Sequence, residues 1–352
     1  MGAECYIQKV ERLLITGVAG FIGFSAAKRF LADSDWEILG IDNLNPYYDP
    51  RLKAKRLEIL SPFPKFKFEK LDIVERHGLF EALKTFRPTR VLHLAAQAGV
   101  RYSLENPYAY SSSNLDGFLN ILEGCRNLSV EHLVFASSSS VYGANTKMPF
   151  SEKDPVSHPL SLYAATKLAN EAMAHSYASL YGLPCTGLRF FTVYGPWGRP
   201  DMALFKFTRA IIEGENLDVY NEGNHRRDFT YVDDIVEGLV RILKNGPAVA
   251  DASWNSQAPD PSTSFAPYRL YNIGRGQPED LMEFIRIIEK TLGKKAKINF
   301  LPKQPGDVVE TSADVSSLER DFGYRPQVSV RDGVSRFVEW YTEIYLPLSK
   351  AS

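Results

Sequence analysis

Tyr163 and Lys167 stand four residues apart in Ser161-Leu-Tyr-Ala-Ala-Thr-Lys167. On a helix that spacing puts the phenol and the ammonium on one face. A positive charge beside a phenol favours the phenolate and lowers its pKa, which predicts a general base able to work near neutral pH. The same spacing is common on plain solvated helix faces, so its meaning depends on what surrounds it. Upstream lies a serine-rich segment, Ala136-Ser-Ser-Ser-Ser-Val-Tyr-Gly143, whose hydroxyls are turn formers or holders of a substrate hydroxyl.

A hydride acceptor would give such a base its reaction, and the N-terminal sequence offers a place for one. Leu13-Leu-Ile-Thr-Gly17-Val-Ala-Gly20-Phe-Ile-Gly23 joins an apolar strand to a helix opened by Phe21 and Ile22. Glycine at positions 17, 20 and 23 permits a tight turn, close approach to a pyrophosphate and close packing of helix on sheet. The pyrophosphate would face unpaired N–H groups at the helix N-terminus. The second strand ends at Asp42-Asn43, where a carboxylate accepts hydrogen bonds from ribose hydroxyls and repels a 2′-phosphate. NAD is therefore expected rather than NADP. Asp72 and Ile73 end the third strand, within reach of an adenine. Leu94, Ala95 and Ala96 end the fourth with small residues that leave room for the cofactor. Asp72 also reads as an ordinary turn residue, and His93 as a core histidine.

Elements that could position these groups alternate along the first half of the chain. Strand-like runs are Arg12 to Thr16, Glu37 to Asp42, Phe66 to Leu71, Arg90 to Ala95, His132 to Ser138 and Pro184 to Phe190. Helix-like stretches run from Phe21 to Ala32, Glu75 to Phe86, Tyr108 to Arg126 and Tyr163 to Tyr181. Fully apolar strands alternating with helices indicate a parallel sheet covered on both faces. The expectation is an α/β, doubly wound Rossmann-type fold over residues 1–190, with a smaller α/β lobe over 191–352 that binds the substrate and returns some segments to the sheet. Gln257 to Pro267 reads as an exposed loop, and helices are expected at Asp280 to Leu292 and Val330 to Tyr345.

Composition narrows the class. The 352 residues carry a net charge of −1 and 44% hydrophobic residues, which gives no sign of nucleic-acid binding. Cys5, Cys125 and Cys185 are too few and too scattered for a metal site or a disulfide framework. No run reaches the roughly 18 apolar residues of a membrane span, and the N-terminus has no signal-peptide pattern. A cytoplasmic protein is expected.

With Gly17, Gly20 and Gly23, Ser138, Tyr163 and Lys167 together, the chain resembles the extended short-chain dehydrogenase/reductase family, over nearly its whole length, and within it the nucleotide-sugar epimerases. The resemblance implies that Tyr163 takes the proton of a sugar 4-hydroxyl, that Ser138 holds that hydroxyl, and that Lys167 also bonds the nicotinamide ribose. Related dehydratases carry Asp-Glu just before the Val-Tyr-Gly segment, and related decarboxylases carry Glu there. This chain has Ser139 and Ser140 instead, which argues for epimerisation, with both serines facing the substrate.

Four further segments are similar to the UDP-glucuronate 4-epimerase subfamily: Asn45 to Pro50, Ala95 to Pro107, Phe191 to Ala203 and Ala266 to Gly274. That similarity implies a UDP-sugar substrate whose carboxylate is held by Thr192 and Arg199. It also implies that Arg227, with Lys206, reaches the diphosphate, and that Asp307 lies near the uridine ribose. Arg101 is expected at the sugar pocket, and a homodimer is expected through the helices Tyr108 to Arg126 and Tyr163 to Tyr181. Other readings stay open at this point. Arg199 pairs with Asp201 in a surface loop, or the sugar is a neutral UDP-hexose, or the chain is a UDP-glucuronate decarboxylase, or it is an NAD-binding regulator without activity.

Overall fold

The strands that end at the candidate reactive groups are apolar for a physical reason: they lie inside. A computed structural model describes residues 10–303 and 309–350. In it β1 (Arg12–Thr16), β2 (Glu37–Asp42), β3 (Phe66–Lys70), β4 (Arg90–His93), β5 (His132–Ser138) and β6 (Cys185–Phe190) form one parallel sheet. Beyond β6 lie β7 (Thr192–Tyr194), β8 (Asn216–Tyr220), β9 (Arg226–Tyr231) and β10 (Tyr268–Ile273). The last of these returns to pair with β6, which completes the seven-stranded order β10-β6-β5-β4-β1-β2-β3. Every residue of β6 is buried, whereas none of edge strand β3 is. This is the difference expected between a strand covered on both faces and one at a rim.

The strand order reverses between β1 and β4, and a ligand crevice opens at the carboxyl ends of strands at such a point. Gly17, Asp42, Leu94 and Ser138 all follow or end strands at that edge. The helices around the sheet are α1 (Phe21–Asp33), α2 (Pro50–Leu60), α3 (Arg76–Phe86), α4 (Tyr102–Glu105), α5 (Pro107–Tyr110), α6 (Gly117–Asn127) and α7 (Leu162–Tyr181). The second lobe contains α8 (Ala203–Glu213), α9 (Val232–Lys244), α10 (Leu281–Leu292), α11 (Ser316–Phe322) and α12 (Val330–Trp340). Strands β7, β9 and β11 (Pro278–Asp280) make a three-stranded sheet there, and β8 pairs with β12 (Lys297–Leu301). Leu204, Phe205, Phe284, Phe337 and Trp340 join the core that packs under α1.

Several expected elements differ at their edges. The helix expected from Tyr108 to Arg126 is broken into α5, a π-helical turn at Ser111–Asp116, and α6. Asn114 sits inside that turn. Its side chain accepts from Gln97 N (2.8 Å) and donates to Thr166 Oγ1 (3.0 Å), tying the wide turn to α7. The last expected helix likewise ends at Trp340 and continues as a π-turn through Tyr345. Strand β4 stops at His93 because Leu94 N and Ala95 N turn to the Thr16 hydroxyl, both at 3.2 Å. The segment read as an exposed loop is exposed over most of its first half, while its second half is largely buried apart from Phe265. Ser262, Thr263, Ser264 and Ala266 are buried, with Leu270 N donating to Ser262 O at 2.9 Å.

One buried ion pair anchors the helix that carries Tyr163 and Lys167. Glu171, a turn beyond Lys167 on α7, accepts from Arg189 Nε and Nη2, each at 2.9 Å, and from Ser137 Oγ at 2.5 Å. This joins α7, β6 and the residue before Ser138. A buried pair is weak evidence for net stability, but removing one partner strands the other charge. Glu171→Gln is expected to lower unfolding free energy by about 3–5 kcal/mol, read from the urea midpoint. A loss under about 1 kcal/mol would show that Arg189 finds other partners.

Two buried histidines give a pH dependence. Burial pulls both His93 and His132 down to about 3. Both are therefore neutral in the folded chain, while the unfolded chain takes up protons from about pH 6.5 downward. Their contribution is present above pH 6.5 and is lost as pH falls from there towards 3. Each adds up to about 1.4 kcal/mol per pH unit in that window. His132→Gln should reduce the slope of stability against pH by that amount; an unchanged slope would contradict it.

Candidate active site

Strand β1 delivers the chain into a turn that only glycine fits. Gly17 has φ +73°, and a Cβ there would stand 2.8 Å from Ala95 N. Gly17 N donates to Ile41 O at 2.7 Å, so the turn is pinned to β2. A Cβ on Gly23 would collide with Gly17 O, which is why α1 can lie so close to the turn. Gly20 caps α1 with no side chain, leaving the first N–H groups of the helix open to a phosphate. Phe21 is a core residue and Ile22 packs against the core, so they offer the site their backbone only. Backbone cradle, helix N-terminus and adjoining carboxylates together fit a dinucleotide.

Asp42 stands beside this turn, but its oxygens are not idle. Oδ2 accepts from Ala19 N at 3.2 Å; Oδ1 accepts from Leu44 N at 2.8 Å and from Lys53 Nζ at 3.3 Å. Lys53 is itself buried. The carboxylate is thus organised from within the chain, with lone pairs still available for a ribose. Asn43 Nδ2 donates to Asp72 Oδ2 at 2.8 Å, joining the ends of β2 and β3. Ile73 is buried against Gly117, so its side chain is core. Leu94, Ala95 and Ala96 border the turn from the other side.

Ser138 ends β5 and Tyr163 lies in the first turn of α7, capped by Ser161, whose Oγ accepts from Ala164 N at 3.1 Å. Lys167 follows on the same face and is buried. Lys167 Nζ donates to Ala136 O at 2.8 Å. Burial raises the Tyr163 phenol above its ordinary value, and the forces opposing that are the hydrogen bond with Ser138 and the charge of Arg199. Lys167 itself is pulled down to about 8 by burial.

Arg199 thus reaches the tyrosine from a different part of the chain. Its Nε and Nη2 donate to Asp201 Oδ1 (3.0 Å) and Oδ2 (2.5 Å), and Tyr47 Oη donates to Asp201 Oδ2 at 3.3 Å. Pairing with Asp201 is therefore real, but the location is no surface loop. Tyr47 and Tyr110 hydroxyls lie beside Gly99 with the Arg199 guanidinium, and the Tyr110 ring meets the Tyr163 ring edge-on at 6.1 Å. Asp201 occupies the Nε edge of the fork, and among the described residues Nη1 has no hydrogen-bond partner. A second carboxylate can be met from that edge. Thr192 lines one small recess with Arg199.

The residues assigned to the nucleotide end sit further along the second lobe. Arg227 Nη1 donates to Val309 O at 2.8 Å on β9, while Arg226 pairs with Glu310 at 2.9 Å. Lys206 is exposed on α8. Arg101 is exposed, with its guanidinium over the Tyr220 ring at 5.3 Å, so it spans from one lobe to the other. Asp307 lies outside the described residues. Among the described residues no His, Cys, Asp and Glu cluster suits a metal ion, and no helix is long and apolar enough to cross a membrane. Sequence reasoning missed Tyr47, Tyr110, Lys53 and Arg56. The signal for the last existed: Leu52, Arg56 and Leu60 share a face of α2, so the arginine points where the leucines point.

A tyrosine, serine and lysine at the switch point of a doubly wound sheet, beside a glycine cradle for a dinucleotide, define an enzyme that oxidises a substrate hydroxyl. The chain belongs to the NAD dependent epimerase/dehydratase family, whose model matches residues 13–255. A probable UDP-glucuronate 4-epimerase of Rhizobium meliloti (strain 1021) is 51% identical over 334 residues, 95% of this chain and 98% of the relative. UDP-glucuronate 4-epimerase 4 of Arabidopsis thaliana is 45% identical over 348 residues, 97% of this chain and 77% of the relative. The fold matches that of UDP-glucuronic acid 4-epimerase from Bacillus cereus, solved with UDP-glucuronic acid and NAD. The TM-score is 0.84 at 32% identity, over 95% of this chain and all of the other.

Proposed function

We propose that this chain interconverts UDP-glucuronate and UDP-galacturonate, inverting carbon 4 through a transient 4-keto sugar. One observation carries the choice of sugar: Arg199 faces the Tyr163 site with one edge of its fork uncommitted. The named relatives agree with it.

NAD, when bound, supplies a hydride acceptor that is restored within each turnover. The chain's residues do the rest. Tyr163 takes the proton from the 4-hydroxyl and returns it to the same oxygen after the 4-keto sugar has turned its other face to the hydride donor, with Ser138 holding that oxygen. Lys167 fixes the end of β5 through Ala136 O and supplies charge below the phenol. Gly17, Gly20 and Gly23 cradle the pyrophosphate, Asp42 holds the ribose, and Asn43 with Asp72 borders the adenine. Arg227 and Lys206 hold the diphosphate, and Arg101 closes over the sugar.

Oxidation at carbon 4 makes the sugar a β-keto acid, which loses carbon dioxide when its carboxylate is free to rotate. Arg199 and Thr192 restrain that rotation. Ser139 and Ser140 hold the sugar hydroxyls and offer no acid for elimination. Incubation with UDP-glucuronate should therefore yield UDP-galacturonate with no gas. Stoichiometric carbon dioxide and a UDP-pentose would make the chain a decarboxylase instead.

The chain acts as a homodimer. Tyr108, Leu119, Leu180 and Tyr181 are exposed on the helical stretches flanking the site, an apolar set suited to a second copy. Light scattering should give twice the 39.6 kDa chain mass; a monomer at micromolar concentration would contradict it. Cys125 and Cys185 are buried free thiols, which supports the cytoplasm as the working compartment.

A further inference from the structure

Arg56 is fully buried, among the largest side chains without exposure, and no step above uses it. Its Nη1 donates to Ala19 O inside the glycine turn and to Tyr48 Oη, each at 2.7 Å. Its Nη2 donates to Trp197 O at 2.5 Å and reaches Gly198 O at 3.5 Å. Those two carbonyls immediately precede Arg199. One guanidinium thus holds the cofactor turn with one nitrogen and the arginine loop with the other.

The loop it grips is shaped for that grip. Trp197 has φ +64°, a left-handed conformation that a bulky residue adopts only when its surroundings impose it. Its indole is wedged edge-on to Phe24 of α1 at 5.5 Å and against Trp340 of α12 at 5.3 Å. With the ring anchored in the core, the backbone turns its carbonyl inward to Arg56 and carries Arg199 out towards Tyr163. Only a planar fork spans this gap: lysine donates from a single point and cannot serve both loops in fixed directions. Burial lowers the basicity of Arg56; the charge of Arg199 adds to that, while Tyr48 and Asp42 oppose it. Arg56 is electrostatically in touch with both halves of the site.

We propose that Arg56 is a positioning residue that couples the NAD turn to the loop presenting Arg199, so that cofactor retention and recognition of the acidic sugar depend on each other. The inference rests on the reading of Arg199 as the holder of the sugar carboxylate. Because coupling between two sites is reciprocal, UDP-glucuronate should slow NAD release, and loosening the clamp should weaken both.

The test compares Arg56→Lys and the milder Tyr48→Phe with the wild type, and repeats both in an Arg199→Met background. NAD-loaded protein is titrated by calorimetry with UDP-glucuronate and with UDP-glucose, which carries a neutral hydroxymethyl group in place of the carboxylate, and NAD release is timed. Arg56→Lys should weaken UDP-glucuronate about tenfold and UDP-glucose less than threefold, and NAD should leave at least threefold faster. Tyr48→Phe should act in the same direction, about threefold. In the Arg199→Met background neither change should reduce the preference for the acidic sugar further. A role confined to general stability would weaken both sugars alike, and effects that add to Arg199→Met would equally overturn the proposal. Should Arg56→Lys not fold, Tyr48→Phe decides by the same criterion. A wild type that does not convert UDP-glucuronate refutes the functional reading, whereas an active wild type with unshifted variants refutes only the clamp.

Discussion

Tyr163→Phe should lower turnover by about 10²- to 10⁴-fold, the range for loss of a positioned acid–base group. The ring keeps its edge-on contact with Tyr110, so the pocket should survive and NAD should stay bound. Only the oxygen that takes and returns the proton is lost. The pH dependence of kcat adds a sharper point. Burial raises the phenol, and Ser138 and Arg199 act against that rise. Ser138→Ala should therefore move the alkaline rise in activity to higher pH, because less now favours the phenolate. Near-normal turnover of Tyr163→Phe, measured by single-turnover kinetics on NAD-loaded protein, would remove the tyrosine from its role.

Arg199→Met should cost the acidic sugar about 30- to 4000-fold in kcat/KM. Losing one partner of a desolvated charge pair costs on the order of 2–5 kcal/mol, and 1.4 kcal/mol is tenfold. The neutral UDP-hexose should lose far less, so selectivity falls even where activity on it stays low. A second effect follows from restraint of the carboxylate. Whatever UDP-glucuronate the variant does oxidise should partition partly to carbon dioxide and a UDP-pentose. The variant also leaves Asp201 without its guanidinium partner, though still bonded to Tyr47. Asp201→Asn separates the two effects: it keeps Arg199 but frees its Nε edge, and should not mimic Arg199→Met. Equal losses on acidic and neutral sugars would place Arg199 in the scaffold rather than in recognition.

Much of this architecture was legible from residue types. Apolar runs of five to seven residues marked strands that, edge strand β3 apart, proved largely buried, and β1, β2 and β5 begin and end where the patterning put them. Glycine spacing disclosed the cofactor turn because backbone demands are written in single residues. Interactions between distant side chains were not legible. Period alone gave Tyr163 and Lys167 a common face, but could not show that the charge of Arg199, 36 positions downstream of Tyr163, also bears on the phenol. The same limit hid Arg56, whose partners at 19, 48, 197 and 198 meet only once the sheet is wound. The π-turn at Asn114 escaped for a related reason: a helical pattern cannot reveal a side chain that turns back to hold another segment. Asp42 was well placed but not free, since its neighbour Lys53 is eleven residues on.

The central claim is that Tyr163 and Arg199 together make an epimerase for an acidic sugar. The most direct measurement is proton NMR of the protein incubated separately with UDP-glucuronate and with UDP-galactose. UDP-galacturonate should appear in the first tube to a steady ratio without added NAD, because the cofactor is restored in each turnover, and UDP-galactose should stay unchanged in the second. Conversion of UDP-galactose with UDP-glucuronate untouched would contradict the account.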